Sequence, residues 1–257
     1  MLAQGISVAL GSHVALDHVL VFVIGVVSPL LDCLWFFPRF QRATAAGVPG
    51  ARARFYLAGI LVSWALTGCV VAAWAANGRP WAGLGLGVST PLRLAIGLAL
   101  ALAYIGLMGR QRRAILSKPE RLDRLYSRMG EGGLLLPRTL GEAWGFRALS
   151  VTAGICEEVI FRGFVLWYVS VWAGTAVAVV ISSIVFGFAH LYMGRSHVTR
   201  TAIVGFIFAL IVLAAGSLWP AMLLHAVMDL VAGDLGYRAL GGSRESGLGG
   251  EIQAAAN

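Results

Sequence analysis

Charged and imidazole side chains set inside apolar sequence carry the chemical information in this chain. An ionisable group is costly in a hydrocarbon setting, so each one found there is a candidate for function. The stretch Ala153-Gly-Ile-Cys-Glu157-Glu158-Val-Ile-Phe-Arg162 holds two carboxylates and a guanidinium. On a helix, Glu158 and Arg162 are four residues apart and can pair on one face, whereas Glu157 is turned about 100° away. A structural ion pair accounts for Glu158 and Arg162 and leaves Glu157 alone. An unpaired carboxylate in low dielectric is the kind of group that serves as a general base or proton carrier. Further on, Phe186 and His190 share a helical face, as do His225 and Asp229. A histidine four residues from an aromatic residue describes a core histidine as well as a catalytic one. An aspartate beside a histidine is a common way to fix tautomer and orientation. Three successive apolar segments, each with a polar stripe at similar depth, form a far more specific pattern than any one of them.

The elements that would hold these groups are membrane helices. Of the 257 residues, 58% are hydrophobic and 12% are charged, and the mean hydropathy is +0.80. A soluble domain carries roughly twice that charged fraction, and a spanning helix needs about 20 apolar residues. The predicted class is all-α, a polytopic helix bundle with seven spans near 15–37, 55–76, 91–108, 148–171, 173–193, 199–216 and 218–234. An eighth, re-entrant or interfacial piece near the N-terminus is open. A tight turn near Ala173–Thr175 separates the fourth and fifth spans. Gly216 and Ser217 separate the last two, with Pro220 opening the final helix. Residues 1–235 form one membrane-embedded domain with its motif-bearing core at about 140–235, and 236–257 read as a Gly-rich, disordered tail. Met1 to Ser12 lack Lys and Arg, so the first apolar segment is expected to be retained rather than cleaved. Cys33, Cys69 and Cys156 lie in apolar stretches without a CxxC pair, and read as small packing residues.

Charge placement gives an orientation. Alternate loops (38–54, 109–147, 194–200 and the tail) hold 17 of the 20 basic residues. The other loops hold only Arg79 and Arg93, and Arg162 lies within a span. This asymmetry puts the C-terminus in the cytoplasm and the N-terminus outside. It also explains the net charge of +8 as topology, without a nucleic-acid partner. In the 109–147 loop, Ser117-Lys-Pro-Glu120 has the form of a capping box. Leu122, Leu125, Tyr126 and Met129 follow at helical spacing among Arg121, Arg124 and Arg128. The pattern predicts a short basic amphipathic helix on the cytoplasmic leaflet.

The order Glu157-Glu158-x-x-x-Arg162, Phe186-x-x-x-His190, His225-x-x-x-Asp229 resembles the motif set of the CAAX prenyl protease and bacteriocin-processing (CPBP, or ABI) family. Pro80-Trp81-Ala-Gly-Leu-Gly-Leu resembles a stretch found before that family's core. The resemblance covers about 140–235. It implies an all-helical intramembrane endopeptidase, of glutamic or metallo type, whose best-known relatives remove a C-terminal tripeptide from prenylated proteins at the cytoplasmic side. Others serve bacteriocin immunity or protein sorting. It further implies that Glu157 and His190 activate water, that His225 and Asp229 line the same cavity as candidates for binding the oxyanion, and that Glu158, Arg162 and Phe186 support them. The last motif position is often Asn in the family, so Asp229 departs from the commonest pattern. Expected partners are membrane lipids and a membrane-associated protein or peptide substrate, and the expected location is the bacterial inner membrane. No cofactor is required by the pattern. A divalent metal such as zinc, on Glu157, His190, His225 and Asp229, remains open.

Other readings meet specific obstacles. A proton-coupled transporter also uses buried Glu, His and Arg, but predicts repeat symmetry and broken helices that the sequence lacks. A membrane cytochrome with haem on His190 and His225 leaves Glu157, Glu158 and Arg162 without a task. A non-proteolytic immunity-type binder retains the family's architecture, but has no need of the full motif set.

Overall fold

The computed structural model describes residues 14–87, 90–118, 120–122, 124 and 130–240. Among these the regular structure is helical throughout. Helix α1 is Ala15–Ala45, α2 Ala51–Ala76 and α3 Pro91–Leu116. Leu140–Ala189 runs for 50 residues. It breaks at Gly174, whose φ of 78° and ψ of 163° are not helical, giving two rods, α4 (140–173) and α5 (175–189). Helices α6, Arg195–Ala215, and α7, Trp219–Leu240, follow. Five helical stretches, with 140–189 taken as one, are long and apolar enough to cross a membrane. Large apolar side chains such as Leu34, Leu57, Leu61, Leu92, Leu102, Val180 and Ile203 are exposed around the outside of the bundle. The protein is therefore an all-helical integral membrane protein, its outer surface matched to lipid.

The observed elements outrun the sequence pattern at several ends. α1 continues to Ala45 through Pro29 and Pro38, where an α-helical ladder would break. Directly ahead of each proline the helix widens into a π turn, Val23–Val27 and Asp32–Phe36. The wider turn accommodates a ring that cannot donate and would otherwise crowd the preceding turn. α3 extends to Leu116, α4 begins at Leu140, and α7 carries helix into 236–240, which had read as tail. The tight break at Gly174 and the turn at Gly216 (φ 63°) fall where expected. Ser117 ends α3, and its hydroxyl donates to Ala114 O at 3.0 Å. A capping box does form at Thr139 and Glu142, opening α4. Most of the predicted amphipathic segment, the tail beyond Leu240 and the first 13 residues lie outside the described residues. Of the three cysteines, all free, only Cys156 is buried. Cys69 is exposed, so it does not pack in the core.

The core joins α2, α3, α4, α5, α6 and α7 through Val70, Trp74, Ala101, Phe164, Phe186, Phe208 and Leu224. The stretch after Pro80 is built into it. Leu84 is fully buried, Gly85 turns with φ 80°, and Gly85 O accepts from Leu218 N at 2.9 Å. Ion pairs tie helix ends together: Arg52 with Glu142 and Arg112 with Asp234 at one end of the bundle, and Arg79 with Asp17 at the other.

Helices α4 and α7 meet at backbone contact. A Cβ on Gly154 would stand 2.7 Å from Ala226 N and 2.8 Å from Ala226 Cβ. This close approach lies one turn before Glu157 and Glu158 and directly after His225, so it sets the spacing between them. Gly154→Val should therefore cost about 1–3 kcal/mol by overpacking. It is expected to lower the thermal unfolding temperature in detergent, whereas Gly106→Ala, on α3 with nothing nearby, should not.

Candidate active site

Glu157 ends the α-helical part of α4, and Glu158 opens an eight-residue π turn, Glu158–Val165, all of it buried. The two carboxylates diverge. Glu158 is fully enclosed, and its Oε1 accepts from Arg162 Nη1 at 2.9 Å and from His225 Nδ1 at 2.8 Å. Arg162 lies over the Phe186 ring, 3.9 Å from Cζ to the centroid, a favourable site for a desolvated cation. Gly205 on α6 leaves it room, since a Cβ there would be 3.0 Å from Arg162 Nη2. The sequence places Glu158 and Arg162 together correctly. The carboxylate that orients His225, however, is Glu158 from another helix, not Asp229 from its own. Asp229 Oδ2 is 3.7 Å from His225 Nε2, beyond a hydrogen bond.

Glu157 points the other way, into a cleft of about 170 Å³ between α1, α2 and α4. Its Oε2 is buried without a hydrogen-bond partner and stands 3.8 Å from both His190 Nε2 and His225 Nε2. His190 ends α5, and its Nδ1 donates to Phe186 O at 2.9 Å. With Nδ1 carrying the proton, neutral His190 presents a lone pair at Nε2. His225 is fixed in the same sense by Glu158. Glu157 thus faces both imidazoles, Asp229 lies beside His225, and the supporting Glu158, Arg162 and Phe186 pack against His225 and His190.

A zinc site would draw on Glu157, His190, His225 and Asp229. Ligand atoms at 2.0–2.2 Å from a tetrahedral ion lie roughly 3.3–3.6 Å apart, closer than the 3.8 Å from Glu157 to each imidazole and the 3.7 Å from His225 to Asp229. Among the described residues, no three His, Cys, Asp or Glu side chains converge to hold a metal ion. The residues as arranged do not fit the ion.

Two cleft residues have no place in the motif pattern. Tyr192 lies nearly parallel to His190, with ring centroids 6.2 Å apart, in a segment whose sequence gives no warning. Asp32, on α1, lines the cleft with Glu157. It is the only charged residue between Asp17 and Arg39, a signal legible in the sequence.

Residues 139–231 match the family model described as type II CAAX prenyl endopeptidase, Rce1-like. That stretch is thus similar to a membrane-protease family, consistent with the resemblance that the motifs carry. No curated protein matches the chain, and no solved structure does.

Removing one member of a buried ion pair leaves its partner charge uncompensated, at a cost of roughly 3–5 kcal/mol. Glu158→Gln is expected to lose folded protein or thermal stability on that scale, because Arg162 and His225 share the one carboxylate oxygen. Glu157→Gln, facing the cleft, should leave the unfolding temperature within a few degrees of the parent.

Proposed function

We propose that this protein is an intramembrane endopeptidase that hydrolyses a peptide bond near the membrane surface, in C-terminal processing of a membrane-associated protein or peptide. The observation that carries this reading is the buried, unpartnered Glu157 Oε2 faced by two imidazole Nε2 atoms at 3.8 Å. A polar atom left unsatisfied in a protein interior needs a reason, and a water between Glu157 and His190 supplies one. In this reading Glu157 removes a proton from that water as it attacks the scissile carbonyl. His190, with its free Nε2, shares the proton and passes it to the departing amine. His225 donates its Nδ1–H to Glu158 in a hydrogen bond, so its Nε2 can donate to the oxyanion only when the ring is imidazolium, with Asp229 and Glu157 as the facing carboxylates. The products are a carboxylate and an amine, and no step passes through a metal.

The bundle is read as seven spans, with Gly174 dividing two of them and α7 as the last, in one domain through about residue 235. It is placed in the bacterial inner membrane with the N-terminus outside. The clustering of Arg52, Arg112, Glu142 and Asp234 at one end of the bundle supports that alternation. A fluorescent protein fused at Gly247 should fluoresce in the cytoplasm, and an alkaline phosphatase active at the same site would reverse the orientation.

Proteolysis itself separates the roles of Glu157 and Asp229. Glu157→Gln cannot accept a proton, and should lower the rate of cleavage of a farnesylated peptide with a C-terminal C-a-a-X sequence by about 10²–10⁴-fold. Asp229→Asn keeps size and one acceptor and adds a donor, and should retain much of the activity. The reverse order, measured on purified protein in proteoliposomes, would assign the base to Asp229.

A further inference from the structure

The chain supplies a basic partner for nearly every carboxylate on its long helices. Asp17 has Arg79, Glu142 has Arg52, Glu158 has Arg162, and Asp234 has Arg112 and Arg238. Glu157 and Asp229 lie within 4 Å of an imidazole. Asp32 breaks this rule. Among the described residues no Lys, Arg or His nitrogen comes within 4 Å of it, and none of the hydrogen bonds or ion pairs found involves it. It is also partly buried, on a helix read as crossing the membrane, where an uncompensated carboxylate is least tolerated. The widened turn Asp32–Phe36 begins with it.

Asp32 lines the same cleft as Glu157, on the wall formed by α1 with Ser28 and Phe36. That cleft has two carboxylates and one histidine, and no Lys or Arg among its lining residues. The remainder is mostly apolar, including Ile24, Phe37, Phe55, Val62, Leu66 and Phe161. Such a cavity accepts a hydrophobic chain readily, and has one anionic feature on the wall facing the proposed base. Peptides that sit at the cytoplasmic face of a bilayer commonly carry Lys or Arg beside their apolar part, so the missing cation is one that a substrate can bring.

We propose that Asp32 is a specificity-determining residue, which selects substrates carrying a basic side chain beside the scissile bond by pairing with it across the cleft from Glu157. This rests on the endopeptidase reading for the position of the cut, but not for the charge preference itself. The pair forms in a cavity walled by apolar residues, where charge–charge recognition is screened far less than at a surface.

The test uses the full chain in nanodiscs and three fluorescent farnesylated C-a-a-X peptides that differ only in Lys, Gln or Glu at the residue before the modified cysteine. Binding is read by anisotropy and cleavage separately by product analysis. The wild type should bind the Lys peptide about 10- to 100-fold more tightly than the Gln twin, and the Glu peptide most weakly. Asp32→Asn should bring the Lys and Gln affinities together. Equal binding of all three peptides to the wild type would overturn the proposal without any variant. So would an unchanged Lys preference in Asp32→Asn, and so would equal losses for both peptides, which would mean a role in chemistry or folding. If the wild type cuts none of the peptides yet shows an Asp32-dependent Lys preference, the endopeptidase reading fails and this inference stands. If it cuts all three with no charge preference, the reverse holds.

Discussion

A single buried carboxylate, Glu158, holds the centre of this protein together. One of its oxygens receives both the guanidinium of Arg162 from the same helix and the imidazole of His225 from α7. Isolated, any of the three would be untenable in a low-dielectric interior. Together they compensate one another, and the arrangement requires α4 and α7 at a fixed separation and rotation. Backbone contact at Gly154 and Ala226 sets the separation. Phe186, Phe208 and Gly205 shape the pocket around the guanidinium. The catalytic geometry proposed for Glu157 is a by-product of this anchor: with Glu158 committed inward, its neighbour in sequence is obliged to face the cleft.

The two histidines illustrate how different surroundings produce the same orientation. His190 donates its Nδ1–H to a carbonyl of its own helix, whereas His225 donates it to a carboxylate from another. In both rings Nε2 is left facing Glu157. The tautomer of a neutral imidazole is set by the hydrogen bond at its other nitrogen. The centre proposed as catalytic is therefore oriented by groups on its far side, the Phe186 carbonyl and Glu158.

Much of this was legible from residue types and spacing, and the parts that were not have identifiable causes. The helical bundle followed from long apolar runs, and the separation of Glu157 from Glu158 followed from helical rotation. The breaks at Gly174 and Gly216 followed from the backbone freedom of glycine. Helix ends were less legible, because polar stretches such as 38–45 and 109–116 continue helices beyond their apolar spans. Ser117-x-x-Glu120 and Thr139-x-x-Glu142 have the same form, yet Thr139 caps α4 while the Ser117 hydroxyl bonds back to the end of α3. The orienting role of Glu158 toward His225 joins residues 67 positions apart, and no local pattern reports such a contact. Likewise Pro80-Trp81-Ala-Gly-Leu-Gly-Leu can be recognised as a motif, but its physical task, a buried Leu84 and a carbonyl for Leu218, is visible only once the chain is folded.

The π turn that begins at Glu158 has a bearing on how such sequences vary in length. A turn closed by i→i+5 bonds holds one residue more than an α-helical turn. The site is therefore written in the number of residues as much as in their identity. Loss of any one residue between Val159 and Val165 would let the segment close as ordinary α-helix. It would rotate everything upstream by about 100° relative to everything downstream. Glu157 would turn away from His190 even though most of the neighbouring residues survived. A chain can thus keep nearly all of these signature residues and still lose their convergence, and a one-residue gap in this short interval says more about the site than many substitutions outside it.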